Sequence, residues 1–319
     1  MATAKKLSSK KTSNKSTTPY VLKDVYQEVT DAVIKALEEG TAVWKCSWNK
    51  AALPINVTTK KEYRGWNVFW LNFHSLKNGY KLPFYITFKQ TQEMGGTIKK
   101  GEKGAKITYW ATIPLKDSEG KIVKSDNPLE PAKTRLVPKD FTVFNIEQTE
   151  GIKFPKFEIV MKSEASIIEA CEQVISDMPQ QPIIQYDGKN AYYIPFTDTV
   201  VVPNLEMSKT SEAYYSTLFH ELAHSTGHSS RLNRKELVES DGFGNENYSK
   251  EELTAEMTAA FLCAITGIQE ETIPNSAAYI ANWLKALKND KKLILKAAAQ
   301  AQKAADFILN KTFEVAVAC

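Results

Sequence analysis

The segment His220-Glu221-Leu222-Ala223-His224 constrains the fold more than any other part of the chain. Residues four positions apart on a helix lie on one face, so His220 and His224 can direct both imidazoles to one tetrahedral ion. Apolar residues before and within the motif predict that this helix is buried. Three of the four histidines fall within residues 220–228, which argues against a chance match.

Glu221 lies beside the two histidines, where its carboxylate can act on water rather than on the metal. Water polarised by zinc can have a pKa of about 7, and a nearby carboxylate can take its proton as the water attacks a carbonyl. The motif therefore predicts a Zn²⁺ site with His220 and His224 as ligands and Glu221 as the general base.

A third protein ligand is needed, and the acidic segment 251–256 supplies candidates. We predict Glu252 as the ligand, with Glu256 one helical turn later as the partner that orients a histidine. The alternative is that Glu252 forms a capping box with Ser249, three residues earlier. In that case Glu256 would be the ligand.

His228 is a further candidate because Gly227 occupies the glycine position of the HExxHxxGxxH pattern. That pattern places its third histidine at residue 230, which here is Ser230. On a continuous helix, residues 220 and 228 would be about 12 Å apart, too far for one ion. We therefore expect His228 to have a capping or surface role.

Charge is distributed unevenly along the chain. The formal net charge is +5 in residues 1–19, +5 in residues 20–150 and −6 in residues 151–319. The first of these segments has almost no apolar side chains, which predicts a disordered basic tail. The asymmetry predicts an N-terminal half that faces a polyanion and a C-terminal half with another task.

Aromatic and basic residues are interleaved in the N-terminal half, where five of the six tryptophans lie. Aromatic faces stack on unpaired bases while Lys and Arg follow phosphates, so this mixture favours single-stranded nucleic acid. The alternative is that each aromatic residue belongs to the core and that the lysines form a solvated surface. The candidate DNA-binding residues are Arg64, Trp66, Lys89, Lys99, Lys100 and Lys103.

Hydrophobic patterning predicts an α+β fold of two domains, with the boundary near Gly151. The dipeptide Asp187-Gly188 lies between two apolar runs in residues 183–194 and predicts a β-hairpin. Helices are predicted at 21–37, 163–176, 208–224, 249–265 and within 276–310, and strands at 84–88, 107–110, 141–144 and 199–202.

No apolar run reaches the roughly 18 residues needed to span a bilayer, and the N-terminus lacks the apolar segment of a secretory signal. The cysteines are scattered without a CxxC pair, which argues against a disulfide framework. We expect no membrane partner and free thiols in a reducing cytoplasm. The cysteines are Cys46, Cys171, Cys263 and Cys319.

Several short motifs occur together in an order that resembles the ArdC-type antirestriction proteins of conjugative plasmids and mobile elements. The resemblance covers residues 20 to 268 approximately. Its blocks are Tyr63-Arg64-Gly65-Trp66-Asn67, Thr87-Phe88-Lys89-Gln90, Gly95-Gly96, Lys100-Gly101-Glu102-Lys103-Gly104, Val143-Phe144-Asn145, Tyr214-Tyr215 to His224, Thr226-Gly227-His228, Arg231-Leu232 and Glu251 to Cys263.

This resemblance implies a single-stranded-DNA-binding domain in residues 20–150 and a zincin-like, gluzincin-type metallopeptidase domain in residues 151–319. Such a protein is expected in the bacterial cytoplasm, including that of a recipient cell, where it shields incoming DNA from restriction. Its protein substrate is unknown. Two alternatives stay open: a non-enzymatic coating protein with a structural zinc, and a protease that acts on DNA-bound proteins.

Overall fold

The computed structural model describes residues 25–40, 53–124, 132–152, 154, 163–187, 189–238, 246–268 and 277–311. The basic tail, Cys46 and Cys319 lie outside them. Cys171 and Cys263 are buried. Within the described residues, no helix combines the length and apolar character needed to cross a membrane.

The N-terminal half begins with a helix and continues as a small sheet with helices packed against it. Its sheet has the order β1-β2-β5-β4, and β3 pairs separately with β6. The elements are α1 (Val25–Glu38), β1 (Ile55–Asn56), α2 (Trp66–Asn78), β2 (Phe84–Thr87), α3 (Phe88–Glu93), β3 (Thr97–Ile98), β4 (Ala105–Pro114), β5 (Thr134–Asn145) and β6 (Thr149–Glu150).

The strand predicted at residues 84–88 ends one residue early because a helix begins at Phe88. Thr87 caps that helix: its hydroxyl accepts a hydrogen bond from the backbone N–H of Gln90 at 3.2 Å. The Gln90 side chain accepts one in return from the backbone N–H of Thr87 at 3.0 Å. This reciprocal capping box satisfies two N–H groups that would otherwise lack partners and sets the start of α3.

The C-terminal half is mainly helical, with a three-stranded sheet. The structure confirms each helix predicted there, with ends that differ by a few residues. The elements are α4 (Glu164–Ser176), β7 (Ile183–Tyr186), β8 (Tyr192–Ile194), β9 (Thr199–Val202), α5 (Ser211–Ser225), α6 (Lys235–Val238), α7 (Glu246–Thr266), α8 (Ala277–Asn289) and α9 (Leu293–Ile308).

The hairpin predicted around Asp187-Gly188 is wrong. β7 and β8 do not pair with each other, because β9 lies between them, parallel to β7 and antiparallel to β8. All four residues of β9 are buried, whereas every residue of β7 and β8 is exposed or half-buried. The most apolar of the three strands, β9, takes the central position. The Asp187-Gly188 pair indicates that the chain changes direction, but it does not determine which strands pair.

One hydrophobic core joins the two halves of the chain. Trp66, Phe69 and Phe73 of α2 belong to the same buried cluster as Phe219 of α5 and Ala298 of α9. The loop before α2 is also attached to α9. There the backbone N–H of residue 65 donates to Gln302 Oε1 at 2.7 Å. The predicted boundary near residue 151 divides the sequence but not the core, and the exact bounds of the two domains stay a prediction.

A buried histidine in the N-terminal half should make the stability of the protein depend on pH. His74 lies on α2, with Nδ1 3.3 Å from the hydroxyl of Tyr85. That hydroxyl donates to the carbonyl of Leu71 at 2.9 Å and lies 2.6 Å from Ser75 Oγ. Burial disfavours the imidazolium and lowers the pKa of His74 to about 4.

We expect the free energy of unfolding to decrease as the pH falls from about 6.5 to about 4. The unfolded chain binds a proton at His74 near pH 6.5, whereas the folded chain does so only near pH 4. Protonation therefore favours the unfolded state, by roughly 2–3 kcal/mol at pH 4.5. Denaturant titrations at pH 7 and 4.5 should show this loss in the wild type and in a His228→Gln control. The same loss in His74→Gln would contradict the assignment.

Candidate metal centre

The HExxH motif lies in the last turns of α5. That helix begins at Ser211, where the hydroxyl of Thr210 accepts from the backbone N–H of Ala213 at 3.1 Å. Leu218, Phe219 and Leu222 are at most 1% exposed, so the helix is buried as its apolar pattern predicts. It packs beside α7, which carries Glu251, Glu252 and Glu256, all of them buried.

Ligand atoms of three residues converge between these helices. His220 Nε2 lies 3.1 Å from His224 Nε2. Glu252 Oε2 is 3.5 Å from His220 Nε2, and Glu252 Oε1 is 3.4 Å from His224 Nε2. A tetrahedral zinc ion with bonds of roughly 2.0–2.1 Å has ligand atoms about 3.3–3.4 Å apart. The donor types and their spacing therefore fit such an ion.

The alternative role of Glu252 in a capping box with Ser249 is wrong. α7 spans Glu246–Thr266, so Ser249 lies inside the helix rather than at its N-cap. The backbone carbonyl of Ser249 accepts a hydrogen bond from Trp283 Nε1 at 3.1 Å instead. The Glu252 carboxylate lies at the histidines, where it is available to a metal.

Glu256 lies on the far side of His220 from the three ligand atoms. Its Oε1 is 3.8 Å from His220 Nδ1, too long for a hydrogen bond. His220 Nδ1 is among the buried polar atoms that have no hydrogen-bond partner in the described part of the chain. A metal on Nε2 would direct the Nδ1 proton towards Glu256, which is the orienting role predicted for that residue.

Sequence reasoning missed Glu251 as part of this centre. Its Oε1 lies 3.3 Å from Nδ1 of His224, while its Oε2 accepts from Arg234 Nε at 2.8 Å. Burial raises the pKa of Glu251, but the Arg234 guanidinium outweighs that effect and lowers it to about 2. The only sequence signal for Glu251 was its position directly before Glu252. Its contact with His224 depends on Arg234, which belongs to no motif recognised in the sequence.

Nearby carboxylates determine the pKa values of the two histidines. Burial disfavours the imidazolium and lowers both pKa values, but Glu252 and its neighbours outweigh it and raise them, most strongly for His224. Burial likewise disfavours the Glu252 carboxylate, yet the histidines hold its pKa well below its usual range. Because zinc binds neutral imidazole, a metal ion must displace protons from this site.

His228 lies in the turn after α5, away from the three converging ligand atoms. Its Nδ1 is 2.8 Å from Ser230 Oγ and accepts from the backbone N–H of Ser230 at 3.2 Å. It caps this turn, in agreement with the sequence prediction. Glu221 is buried on α5, where it lies between the two histidines of the motif in the sequence.

The structure places Trp66, a predicted DNA-binding residue, in the hydrophobic core. This side chain is 8% exposed and stacks on Trp70, with ring centroids 6.0 Å apart and planes at 3°. It cannot stack on a base without leaving the core. The guanidinium of Arg64 forms an ion pair with Asp306 of α9.

The remaining predicted DNA-binding residues lie on the surface. Lys89 is exposed and pairs with Glu93 at 3.5 Å. Lys99 donates through Nζ to the carbonyl of Glu147 at 2.7 Å. Lys100 and Lys103 are exposed in the turn between β3 and β4. The structure thus places Lys99, Lys100 and Lys103 together in one turn.

Two exposed aromatic residues on β4 and β5 were not predicted as binding residues. Tyr109 is 47% exposed and Phe141 is 44% exposed. Tyr109 pairs with Lys139, and Phe141 with Ile107, so all four side chains point to the same face of the sheet. No sequence pattern distinguishes these aromatic residues from buried ones: on the same face, Ile107 is buried in a cluster with Leu71 of α2, whereas Tyr109 and Phe141 are exposed.

Two family models match the chain in succession. Residues 23–144 match the N-terminal domain of anti-restriction factor ArdC, and residues 169–300 match a zincin-like metallopeptidase. The second match contains both histidines of the motif and Glu252.

Similar proteins and structures cover most of the chain. An uncharacterized protein of Sinorhizobium fredii (strain NBRC 101917 / NGR234) is 34% identical over 295 residues, which is 91% of this chain and 93% of that protein. Two Escherichia coli proteins named DNA primase TraC are 33% and 34% identical over 90% and 91% of this chain. The matched regions are only 20% and 27% of those primases.

Two crystal structures of the antirestriction ArdC protein from the R388 plasmid are also similar, each at 33% identity. The metal-free structure has a TM-score of 0.72 and covers 91% of this chain and 100% of its own. The Mn(II)-bound structure has a TM-score of 0.70 and covers 90% and 97%.

Proposed function

Because the chain belongs to the ArdC antirestriction family, with a zincin-like C-terminal region, we propose that it binds single-stranded DNA and carries a zinc-dependent peptidase site. In this proposal residues 20–150 hold the DNA and residues 151–319 form the peptidase domain. The protein acts in the bacterial cytoplasm, where it protects incoming mobile-element DNA from restriction. The convergence of His220, His224 and Glu252 is the observation that supports a peptidase most directly.

Zinc is the metal that the donor set favours. Two imidazoles and one carboxylate with tetrahedral spacing suit Zn²⁺, whereas manganese prefers octahedral oxygen sites. The Mn(II) bound to the R388 relative supports a divalent ion without selecting zinc. Direct metal analysis of the purified protein decides this point.

The proposed chemistry is hydrolysis of a peptide bond with Glu221 as the general base. A bound zinc ion supplies a Lewis acid that polarises a carbonyl and acidifies water. Glu221 takes a proton from the attacking water and can return it to the leaving amine. Its burial on α5 keeps it next to the histidines in surroundings where electrostatic interactions are strengthened.

The proposed DNA surface combines the basic turn of Lys99, Lys100 and Lys103 with the exposed aromatic face of β4 and β5. Tyr109 and Phe141 replace Trp66 as the residues that stack on unpaired bases, and Lys139 lies opposite Tyr109 on the same face. Alternating cations and aromatic rings on one surface is the arrangement that single strands favour over duplex.

Binding to single-stranded DNA should exceed binding to duplex and should weaken steeply with salt, because phosphate contacts release counterions. The double substitution Lys100→Gln with Lys103→Gln should reduce the slope of log affinity against log salt by about 1.4, or ~0.7 per contact. Fluorescence anisotropy with labelled oligonucleotides between 50 and ~300 mM salt measures both quantities.

A matched control distinguishes specific contacts from loss of net charge. Lys288→Gln with Lys292→Gln removes the same charge at the turn between α8 and α9 and should leave the slope unchanged. Tyr109→Ala should weaken binding by roughly 1–3 kcal/mol without changing the slope, since stacking releases no counterions. Salt-insensitive binding, or a preference for duplex, would refute the proposed surface.

A further inference from the structure

A buried arginine outside the HExxH motif is connected to one of the metal-binding histidines. The side chain of Arg234 is 1% exposed. Its Nε donates to Glu251 Oε2 at 2.8 Å, and its Nη2 donates to Glu251 Oε1. The same guanidinium donates to the carbonyl of Ala223 at 2.8 Å and to Thr226 Oγ1 at 2.5 Å. It is thereby attached both to α7 and to the C-terminal end of α5.

Glu251 relays this attachment to His224. Its Oε1, held by the guanidinium, lies 3.3 Å from His224 Nδ1, while Nε2 of the same ring faces His220 and Glu252. A carboxylate at Nδ1 favours the tautomer with a proton there and leaves the Nε2 lone pair for a metal. Because Arg binds a carboxylate through two parallel donors, it fixes the carboxylate's orientation as well as its position.

Gly227 provides the space for this arginine. A Cβ atom at residue 227 would lie 2.9 Å from Arg234 Nη2 and 2.9 Å from Leu237 Cδ2. Real Cβ atoms essentially never approach other atoms so closely, so a side chain here would displace the guanidinium. Gly227, the glycine that matches the HExxHxxGxxH pattern, therefore leaves room for the Arg234 guanidinium in this chain.

We propose that Arg234 is a positioning residue of the metal centre: it acts through Glu251 to hold the His224 imidazole in place, and Gly227 admits it. The inference rests on the proposed metal site. A wild-type protein that binds no zinc would refute that site itself, whereas equal zinc affinity in the wild type and the variants below would refute only this inference.

Arg231 offers a matched control three residues away. Its side chain is also 1% exposed. Two of its guanidinium nitrogens donate to the carboxylate of Asp198. It donates to the carbonyl of Ser225 at 2.7 Å, near the C-terminal end of α5. Within the described part of the chain, its hydrogen bonds and ion pair involve no metal-binding histidine and no residue of α7. Replacing Arg231 removes a comparable set of hydrogen bonds but leaves the contacts from Arg234 through Glu251 to His224 unchanged.

The test measures the zinc dissociation constant by competition with a chelator and the melting temperature of the metal-free protein. Arg234→Met and Glu251→Gln should each weaken zinc binding roughly 10- to 100-fold, the usual effect of losing such a partner. Arg231→Met should lower the melting temperature but leave the zinc dissociation constant unchanged. The double variant Arg234→Met/Glu251→Gln should bind zinc about as weakly as Glu251→Gln alone.

The double variant separates a relay from a general stabilising role. If Arg234 acts only by attaching the end of α5, the two losses in zinc affinity multiply, and the inference is overturned. It is also overturned if Arg231→Met weakens zinc as much as Arg234→Met. Should Arg234→Met fail to fold, Gly227→Ala serves in its place. It keeps both charges, displaces the guanidinium and should weaken zinc, and wild-type affinity in this variant would overturn the inference.

Discussion

Replacing Glu221 by Gln should lower the proteolytic rate by a factor on the order of 10² or more while leaving the metal in place. Gln keeps the size and much of the hydrogen bonding of Glu but cannot accept a proton from water, and a positioned general base contributes roughly 10²–10⁴-fold. The histidines and Glu252 are not altered, so zinc content should stay at about one ion per chain. Protein substrates digested with and without single-stranded DNA provide the assay.

Glu212→Gln is the matched control for this prediction. Glu212 lies in the first turn of the same helix, α5, and the substitution makes the same chemical change away from the histidines. Its proteolytic rate should equal that of the wild type. Wild-type proteolysis in Glu221→Gln would show that this residue is not the base.

Protection of DNA in cells distinguishes the peptidase from the coating protein. If proteolysis is what evades the host, Glu221→Gln should lose antirestriction together with proteolysis. Full protection by this variant would favour the coating model and leave the metal a structural role. The comparison requires the full chain, because α2 shares its core with α5 and α9, and a fragment ending near residue 151 would expose Trp66, Phe69 and Phe73.

Substituting either histidine by Ala should remove the metal. In the proposed site each of His220 and His224 would supply one of three protein ligands, and two remaining ligands would not hold zinc. Metal analysis after dialysis should give about one zinc per wild-type chain and almost none in either variant. His228→Ala is the control, since its imidazole caps the turn at Ser230 and should be dispensable for the metal.

The same measurement identifies the third ligand. Glu252→Ala should lose zinc nearly as completely as the histidine variants, and Glu251→Ala should retain zinc with weakened affinity. Full zinc in Glu252→Ala together with its loss in Glu256→Ala would move the ligand one helical turn along α7. Full zinc in His224→Ala would refute the site.

Local sequence was sufficient to locate much of the candidate site. The spacing of His220 and His224 implies a shared helical face because helix geometry repeats over a few residues and needs no distant partner. The same reasoning selected Glu252, and the structure brings these three side chains together. Helices in the C-terminal half were likewise predictable from periodicity and from flanking polar residues.

Tertiary structure decided which residue serves as a partner and which is buried. From the sequence Trp66 was compatible with the core and with a stacked DNA base, and only its packing in the folded chain places it in the core, against Trp70. Arg64 looked like a phosphate contact, but it pairs with Asp306, a residue 242 positions away. The local sequence of residues 183–194 predicted a hairpin, yet β7 and β8 each pair with the buried strand β9 and not with each other.

The contacts from Arg234 through Glu251 to His224 were also decided by the tertiary structure. Arg234 and Glu251 are 17 positions apart, and Glu251 and His224 are 27 apart, with no periodicity that links them. Periodicity arises from the backbone geometry of a single helix or strand, so it can be recognised in a short stretch of sequence. Contacts between elements depend on how whole surfaces exclude water and satisfy their polar groups. Those requirements are met only when the chain has folded, and they determined how the metal centre is held.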